Sequence, residues 1–179
     1  PPHDAPFPPG REDVSRVVWF REVSNPDETL HLAHSAASVG LPGEVSFTLS
    51  NNTERRFMSN FYGWALYRWE AGQWYHVAPL VVNQPLMSLP SGGSHTWTVA
   101  LSNESLERPQ FRSGGTTDVS VEPLGGGSYA FAVDGWWENQ DETPTHEHQT
   151  VCAARFELDG PELSLVPSSA VTDTRREGD

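Results

Sequence analysis

The sequence predicts an all-β protein in which antiparallel strands form two layered sheets, a β-sandwich. Three observations predict this fold. Apolar and polar residues alternate with a period of two in one segment after another, as they do in strands that bury a single face. No segment has the apolar spacing of an amphipathic helix. The alternating segments are separated by turn-forming residues, and the 179 residues include 15 Gly and 15 Pro.

The alternation predicts seven to nine short strands. The candidates are, in chain order, residues 17–20, 30–32, 44–50, 64–69, 74–77, 96–101, 119–121, 128–133 and 152–158. The clearest is the third, in which Val45, Phe47 and Leu49 point to one side and hydroxyl-bearing residues point to the other. An Asn-Asn pair at 51 and 52 then turns the chain.

A Trp-rich hairpin is predicted over residues 64–77. Its connector of four residues, 70–73, contains a Gly and suits a hairpin loop. Trp64 lies on the same side of its strand as Leu66, whereas Trp69 lies on the other side. Core packing therefore accounts for only part of this Trp cluster, and a Trp left facing outward would mark an interaction surface.

The later strands repeat the alternation and decide the architecture. Trp97, Val99 and Leu101 share one side of their strand, and Tyr129 and Phe131 share one side of theirs. Sheets with one apolar face each must cover one another, which predicts two packed layers. The unequal loops favour a sandwich over a closed barrel.

The chain divides into one domain with two extensions. Residues 1–16 are rich in Pro and predict an extended arm, residues 17–165 predict the sandwich, and residues 166–179 predict a polar tail. No stretch approaches 18 consecutive apolar residues, so the sequence predicts no insertion into a membrane.

The charge of the chain narrows the classes of partner. The formal net charge is −13, and all 11 basic residues are Arg. Such a surface repels phosphate backbones and anionic lipids, which argues against nucleic acid and membrane partners. Abundant carboxylates without any Lys are typical of a halophilic, archaeal protein whose self-repulsion is screened by salt. A GC-rich genome combined with ordinary acidity is the alternative explanation.

Four motifs connect residues 43–160 with a known family. They are a strand with an Asn-Asn turn at 45–53, a hairpin with Gly and then Trp at 66–77, a Pro-Gly corner at 89–94 and a Gly-x-Tyr segment at 124–129. In their order and content they resemble the immunoglobulin-like domains of bacterial and archaeal cell-surface proteins. The resemblance implies an immunoglobulin-like antiparallel β-sandwich, an extracellular or cell-surface location, and a role in binding or assembly without a defined catalytic activity.

Tyr129 provides a physical explanation for the Gly-x-Tyr motif at 124–129. A Tyr at such a corner can turn its hydroxyl back onto upstream backbone and fix the crossover between the sheets. The chain departs from the family pattern by its N-terminal arm and by three long insertions, at 78–88, 102–117 and 134–148.

The last insertion holds the candidate contact residues for a ligand or partner. Loops at the ends of sandwiches carry recognition, and this loop contains adjacent Trp residues, Trp136 and Trp137. Adjacent residues of a strand point to opposite faces, which favours exposure of at least one of them. An exposed Trp beside the carboxylates of Glu138 and Asp141 can stack on a sugar or anchor a protein. Packing of both Trp over the open end of the core is the alternative.

His146 and His148 are the candidate metal ligands. They share one face of a strand, and two imidazoles with a nearby carboxylate can hold zinc or copper. A solvated His pair in an acidic loop is the alternative, and since the spacing guarantees no third ligand we expect no cofactor. A blue-copper site is disfavoured because no His or Met closely follows Cys152, whose position in the alternation predicts a small buried side chain.

Glycosylation and catalytic motifs give little further guidance. Asn51 and Asn103 begin Asn-x-Thr and Asn-x-Ser sequons, which suit surface loops of an exported protein. The sequence lacks Gly-x-Ser-x-Gly, a phosphate-binding P-loop, a dinucleotide fingerprint and His-Glu-x-x-His. The sequence therefore predicts no catalytic residue.

These patterns predict a non-enzymatic extracellular immunoglobulin-like module for cell-surface binding or structure, whose partner is a protein or glycan. One alternative is a subunit of an extracellular filament or surface assembly built by strand addition, with self-association through the arm and residues 17–20. An arm that folds onto its own domain is the opposing arrangement. A second alternative is a metal-binding protein or enzyme that uses His146 and His148.

Overall fold

A computed structural model describes residues 5–78, 86–102, 117–121, 125–138 and 149–162. These residues form twelve strands: β1 (Val14–Trp19), β2 (Leu30–His34), β3 (Ser38–Gly40), β4 (Gly43–Asn51), β5 (Phe57–Ser59), β6 (Ala65–Glu70), β7 (Gln73–Ala78), β8 (Met87–Leu89), β9 (Ser94–Leu101), β10 (Asp118–Val121), β11 (Gly125–Trp137) and β12 (Gln149–Glu162). Two short 3-10 helices, Phe20–Glu22 and Pro26–Glu28, lie between β1 and β2. Among the described residues, no helix has the length and hydrophobicity needed to cross a membrane.

The strands form two sheets, which confirms the predicted all-β sandwich. The large sheet has the order β1-β12-β11-β5-β8, with β3 also paired to β12, and β6 and then β7 beside β11. The small sheet has the order β10-β9-β4-β2. β4 lies between β2 and β9 in the small sheet, and β11 lies between β12 and β6 in the large sheet.

Three strand pairs are parallel, which the sequence did not predict. β1 and β3 both run parallel to β12, and β10 runs parallel to β9. β2 pairs with β4 in the small sheet, and the chain then crosses to the large sheet, where β3 pairs with β12. The alternation of apolar and polar side chains indicates which face of a strand is buried, but it does not indicate the direction of the neighbouring strand.

The predicted hairpin is formed by β6 and β7, with a shorter connector than expected. β6 ends at Glu70 and β7 begins at Gln73, so the turn has two residues rather than four. Ala71 and Gly72 have φ angles of 52° and 79°. Positive φ at both central residues defines the type I′ turn, whose twist matches that of the flanking strands.

The inner core between the sheets follows the predicted parity. β4 buries Val45, Phe47 and Leu49, while the residues between them are half-buried. The rings of Phe47 and Phe131 stack with centroids 4.3 Å apart, and the Trp64 ring stacks on that of Phe131 at 5.7 Å. Each such buried aromatic side chain contributes about 2–3 kcal/mol of hydrophobic stabilisation.

Tyr129 forms the corner that its position in the sequence predicted. Its buried hydroxyl donates a hydrogen bond of 2.6 Å to the carbonyl of Gly125, four residues upstream. Arg68 of β6, also buried, lies with its guanidinium carbon 5.8 Å from the centroid of the Tyr129 ring and donates to the carbonyl of Gly126. The start of β11 is thereby fixed to β6.

The outer face of the large sheet is also buried, which the sequence did not predict. Its outer cluster consists of Trp19, Tyr67, Trp74, Ala130, Ala132, Val151 and Ala153. The N-terminal segment covers this cluster, and its Ala5 and Phe7 pack against it. Both faces of β11 and β12 are therefore apolar and covered around Ala130, Ala132, Val151 and Ala153, where the small Ala side chains leave room for the covering segment. Farther along, Arg155 and Glu157 form a partly exposed ion pair.

The described part of the predicted arm folds onto its own domain. β1 begins at Val14, so it extends across the predicted boundary between residues 16 and 17 and pairs with β12. Arg11 donates from Nε to Asp13 at 2.7 Å and from Nη1 to Asp134 of β11 at 2.9 Å. The predicted tail, 166–179, lies outside the described residues.

Candidate functional site

The two adjacent Trp residues lie in a strand rather than in a loop. β11 continues to Trp137, so the prediction of an insertion starting at residue 134 is wrong for residues 134–137. In the pairing of β11 with β5, Trp136 lies opposite Met58 and Trp137 lies opposite Phe57. Both Trp side chains are half-buried, and as neighbours in a strand they point to opposite faces.

Trp137 faces the inner core and is held by two contacts. The Phe57 ring meets it edge-on with centroids 5.2 Å apart, and the guanidinium carbon of Arg55 lies 5.2 Å from the Trp137 centroid. Exposed Glu138 follows, with Oε2 3.6 Å from Nε of Arg56. Two of the predicted contact residues, Trp137 and Glu138, are thus joined to the loop between β4 and β5, which carries both Arg side chains.

Asn51 organises that loop from a fully buried position. Its Nδ2 donates to the carbonyls of Arg55 at 2.7 Å, Leu89 at 2.9 Å and Pro90 at 3.3 Å. Its Oδ1 accepts from the hydroxyl of Thr53 at 2.6 Å, so the two ends of the sequon bond to each other. A glycan on Nδ2 could be attached only by breaking these bonds, and the role of Asn51 in this fold is structural.

A cleft of about 330 Å³ opens beside Trp137, at the end of the sandwich where β4 and β11 finish and β12 begins. We call it the loop-end cleft. Its walls come from β1, from the segment with the two 3-10 helices, and from single residues of the other elements, among them Thr53, Trp137 and Thr150. Trp19 and Leu30 form buried parts of the lining.

The polar groups around the loop-end cleft suit a ligand with many hydroxyl groups. Ser24, Thr29, Thr53 and Thr150 bring hydroxyls to the lining. The hydroxyls of Thr29 and Thr53 already donate, to the carbonyl of Asn25 and to Oδ1 of Asn51, so they offer a ligand only acceptor positions. The charged lining residues are Arg16, Glu22 and Glu28, all exposed. An indole beside such groups can pack against the apolar face of a ring while the hydroxyls and carboxylates fix its orientation.

The remaining predicted site residues lie outside the described part of the chain. These are Asp141, His146, His148 and Asn103. Among the residues that the structure describes, no three His, Cys, Asp or Glu side chains come close enough to hold a metal ion. The proposed ligation by the His pair is therefore left as a prediction.

The described His side chains pack against aromatic rings. His95 stacks on Phe61 at 4.3 Å, and His34 meets Phe20 edge-on at 5.0 Å. His76 lies 5.5 Å from the Tyr67 ring, and burial lowers the pKa of His76. These contacts give the described imidazoles a place in aromatic packing.

Cys152 has the buried position that its parity predicted. It is fully buried in the inner core, and burial raises the pKa of its thiol to about 12. A thiol that stays protonated near neutral pH is a poor nucleophile and a poor metal ligand. Cys152 therefore acts as a small apolar side chain.

Sequence reasoning missed most of the residues around the loop-end cleft. Thr53 was seen only as part of a sequon, and Arg16 and Thr150 carried no pattern that marks a binding residue. Parallel pairing of β1 with β12 places Arg16 opposite Thr150. Only the pairing brings these residues together, and no local spacing in the sequence encodes it.

Comparisons with known proteins assign no family. No family model and no curated protein matches the chain. One similar structure is a β-glucosidase from Listeria innocua, which is 15% identical with a TM-score of 0.27 in its complex with glucose and 16% identical with a TM-score of 0.29 in its complex with gluconolactone. Each comparison covers 75% of this chain but only 16% of the enzyme chain. AvmM, which catalyses macrocyclization in alchivemycin A biosynthesis, is 11% identical over 78% of this chain and 93% of its own, with a TM-score of 0.28. At these scores the likenesses support no functional conclusion.

Proposed function

We propose that this chain is a non-enzymatic, extracellular immunoglobulin-like module that binds a glycan of the cell surface in the loop-end cleft. The observation that carries the proposal is the convergence of Trp137, Thr53 and Thr150 from separate strand ends on one cleft. Ligands of β-sandwiches are commonly held at the loop end, on a rigid scaffold.

The size and lining of the cleft favour a glycan over a flat protein surface. A volume of about 330 Å³ falls at the lower end of the range for small-molecule pockets, about 300–1,000 Å³, and would hold one or two sugar rings. Hydroxyl groups and carboxylates match the hydrogen-bonding groups of a sugar. Glu22 and Glu28, in a chain of net charge −13, disfavour phosphorylated or sulfated ligands.

A binding assay with the full chain tests this proposal. Soluble neutral glucans and mannans and a uronic-acid polysaccharide would be titrated by calorimetry in high salt. We expect at least one neutral polysaccharide to bind, and Trp137→Ala to weaken its affinity about tenfold or more, as loss of a central aromatic contact does.

Trp69→Ala is the matched control, because Trp69 is also half-buried but packs on Trp74 at the outer face, away from the cleft. It should leave the affinity unchanged, and melting temperatures would establish that both variants fold. Equal affinity of Trp137→Ala and the unsubstituted chain would remove the cleft as the site. Binding of a purified envelope protein with no polysaccharide binding would replace the glycan with a protein partner.

Cell fractionation tests the proposed location. An antibody raised against the purified chain should detect it in the envelope or culture supernatant of the source organism. Detection only in the soluble intracellular fraction would contradict an extracellular role, whatever the outcome of the binding assay.

A further inference from the structure

A second cavity adjoins the loop-end cleft. Its volume is about 370 Å³, and its walls come from β1 and from residues 6–12, which precede that strand. We call it the arm cavity. Arg16 and Val17 line both the arm cavity and the loop-end cleft, so β1 forms a wall that the two cavities share.

A β-bulge in β1 shapes this shared wall. The register of β1 against β12 shifts between Val14 and Arg16, where β1 uses two residues against one, so Ser15 is an extra residue. Val14 and Val17 consequently both pack against the outer cluster, although regular alternation would place residues three apart on opposite faces. Arg16, next to Val17, points to the other side of the strand and is exposed.

Arg16 has donors available for a ligand. Within the described part of the chain, its guanidinium makes no hydrogen bond and no ion pair. Arg11, the other Arg of the arm cavity, is instead bound to Asp13 and Asp134. A guanidinium presents five N–H donors in a fixed plane, and at the shared wall these donors lie within reach of groups in either cavity.

The groups around the arm cavity suit a further part of the same kind of ligand. Glu12 is exposed and its carboxylate offers acceptors, and Ser15 Oγ, which donates to the carbonyl of Gln149 at 3.3 Å, keeps acceptor positions. Pro6 and Val14 supply apolar surface. Apolar walls with a few polar groups are typical of small-molecule sites, and the volume falls in the same range as that of the loop-end cleft.

We infer that the ligand is a stretch of a neutral polysaccharide, about three or four sugar rings long, that lies across Arg16 and fills both cavities. This inference rests on the proposed function, because the loop-end cleft holds the first rings. Arg16 donates to hydroxyls of the rings on both sides of the shared wall. One chain is favoured over two separate sugars because rings that are linked bind the second cavity at a high effective concentration.

The dependence of affinity on chain length tests the inference. Cello-, laminari- and manno-oligosaccharides of two and of four units would be titrated into the full chain by calorimetry in high salt. In the series that binds, we expect about tenfold or more higher affinity for four units than for two. Equal affinity for both lengths would overturn the inference and leave the loop-end cleft as the whole site. Failure of every oligosaccharide and polysaccharide to bind would remove the proposed function, and the inference with it.

A substitution in the arm cavity separates the two parts of the groove. Glu12→Ala should weaken binding of four units about threefold to tenfold and leave binding of two units unchanged, because Glu12 lines only the arm cavity. Trp137→Ala should weaken binding of both lengths. Glu44→Ala is the matched control, since Glu44 is an exposed carboxylate of β4 that lines neither cavity, and it should change neither affinity. Melting temperatures would establish that each variant folds. If Glu12→Ala binds four units as tightly as the unsubstituted chain, or weakens both lengths equally, the arm cavity is not a separate part of the site.

Discussion

Asn51 and Tyr129 fix the two ends of the sandwich through buried hydrogen bonds. Asn51 joins the β4–β5 loop to the carbonyls of Leu89 and Pro90, and it thereby holds Thr53 at the loop-end cleft. Tyr129 closes the opposite end at the start of β11. Buried polar side chains of this kind give a loop one defined conformation, since an alternative conformation would leave the polar atoms without partners.

Tyr129→Phe should destabilise the fold by about 1–3 kcal/mol. The substitution removes the hydroxyl that donates to the carbonyl of Gly125 and leaves the ring in place. The midpoint of urea unfolding measures the change, and Tyr75→Phe, at a half-buried position on β7, is the matched control. An unfolding midpoint equal to that of the unsubstituted chain would show that the corner bond contributes nothing.

Stability should fall as the pH rises from about 9 to about 12. Burial raises the pKa of Cys152 from 9.0 to about 12 and that of Tyr67 from 10.0 to about 12. In this range the unfolded chain releases protons that the folded chain retains, so the stabilisation present below pH 9 is progressively lost. Melting temperatures across the range measure the effect, and Cys152→Ala should reduce the slope. An unchanged slope in that variant would contradict the assignment to Cys152.

At the scale of elements, β11 is the strand that positions the candidate site. Its first half pairs with β6 and its second half with β5, so the change of partner occurs near Gly135. A Cβ at Gly135 would collide with the carbonyl oxygen of Met58 and with the Phe57 ring. Only glycine allows β5 to approach closely enough to place Phe57 against Trp137.

Gly135→Ala should therefore separate β5 from β11 and cost about 1–3 kcal/mol, as overpacking of a tight site does. The near-ultraviolet circular dichroism of Trp137 should weaken with it. Gly40→Ala is the control, because a Cβ at Gly40 meets nothing within 4 Å. If both variants unfold at the same denaturant concentration, close approach at Gly135 is not required.

At the scale of the whole molecule, the surface charge should make stability depend on salt. The net charge is −13, and the screening length falls from about 30 Å at 0.01 M salt to about 3 Å at 1 M. We expect the melting temperature to rise by about 5 °C or more between these conditions. Sucrose at matched osmolality should not reproduce the whole rise. A melting temperature that does not respond to salt would contradict the proposed halophilic origin.

Much of the fold could be predicted from the alternation of apolar and polar residues, because a strand that buries one face has apolar residues at every second position. Strands of three residues, such as β3, β5 and β8, are too short to show this alternation. The burial of the outer face was missed because it depends on where Phe7 docks, a contact with residues far away in sequence. Of the predicted contact residues, Trp137 lines the cleft, whereas Thr53 and Thr150 reach it only through tertiary pairing.

The account depends most on the claim that a ligand binds in the loop-end cleft. The indole N–H signals of the seven Trp residues, assigned by single Trp→Phe variants, report on it in a nuclear magnetic resonance titration with the polysaccharide that binds most tightly. We predict a shift of Trp137, which lines the cleft, and none of Trp69 or Trp97. Shifts confined to Trp69 and Trp74, on the outer face, would contradict the account.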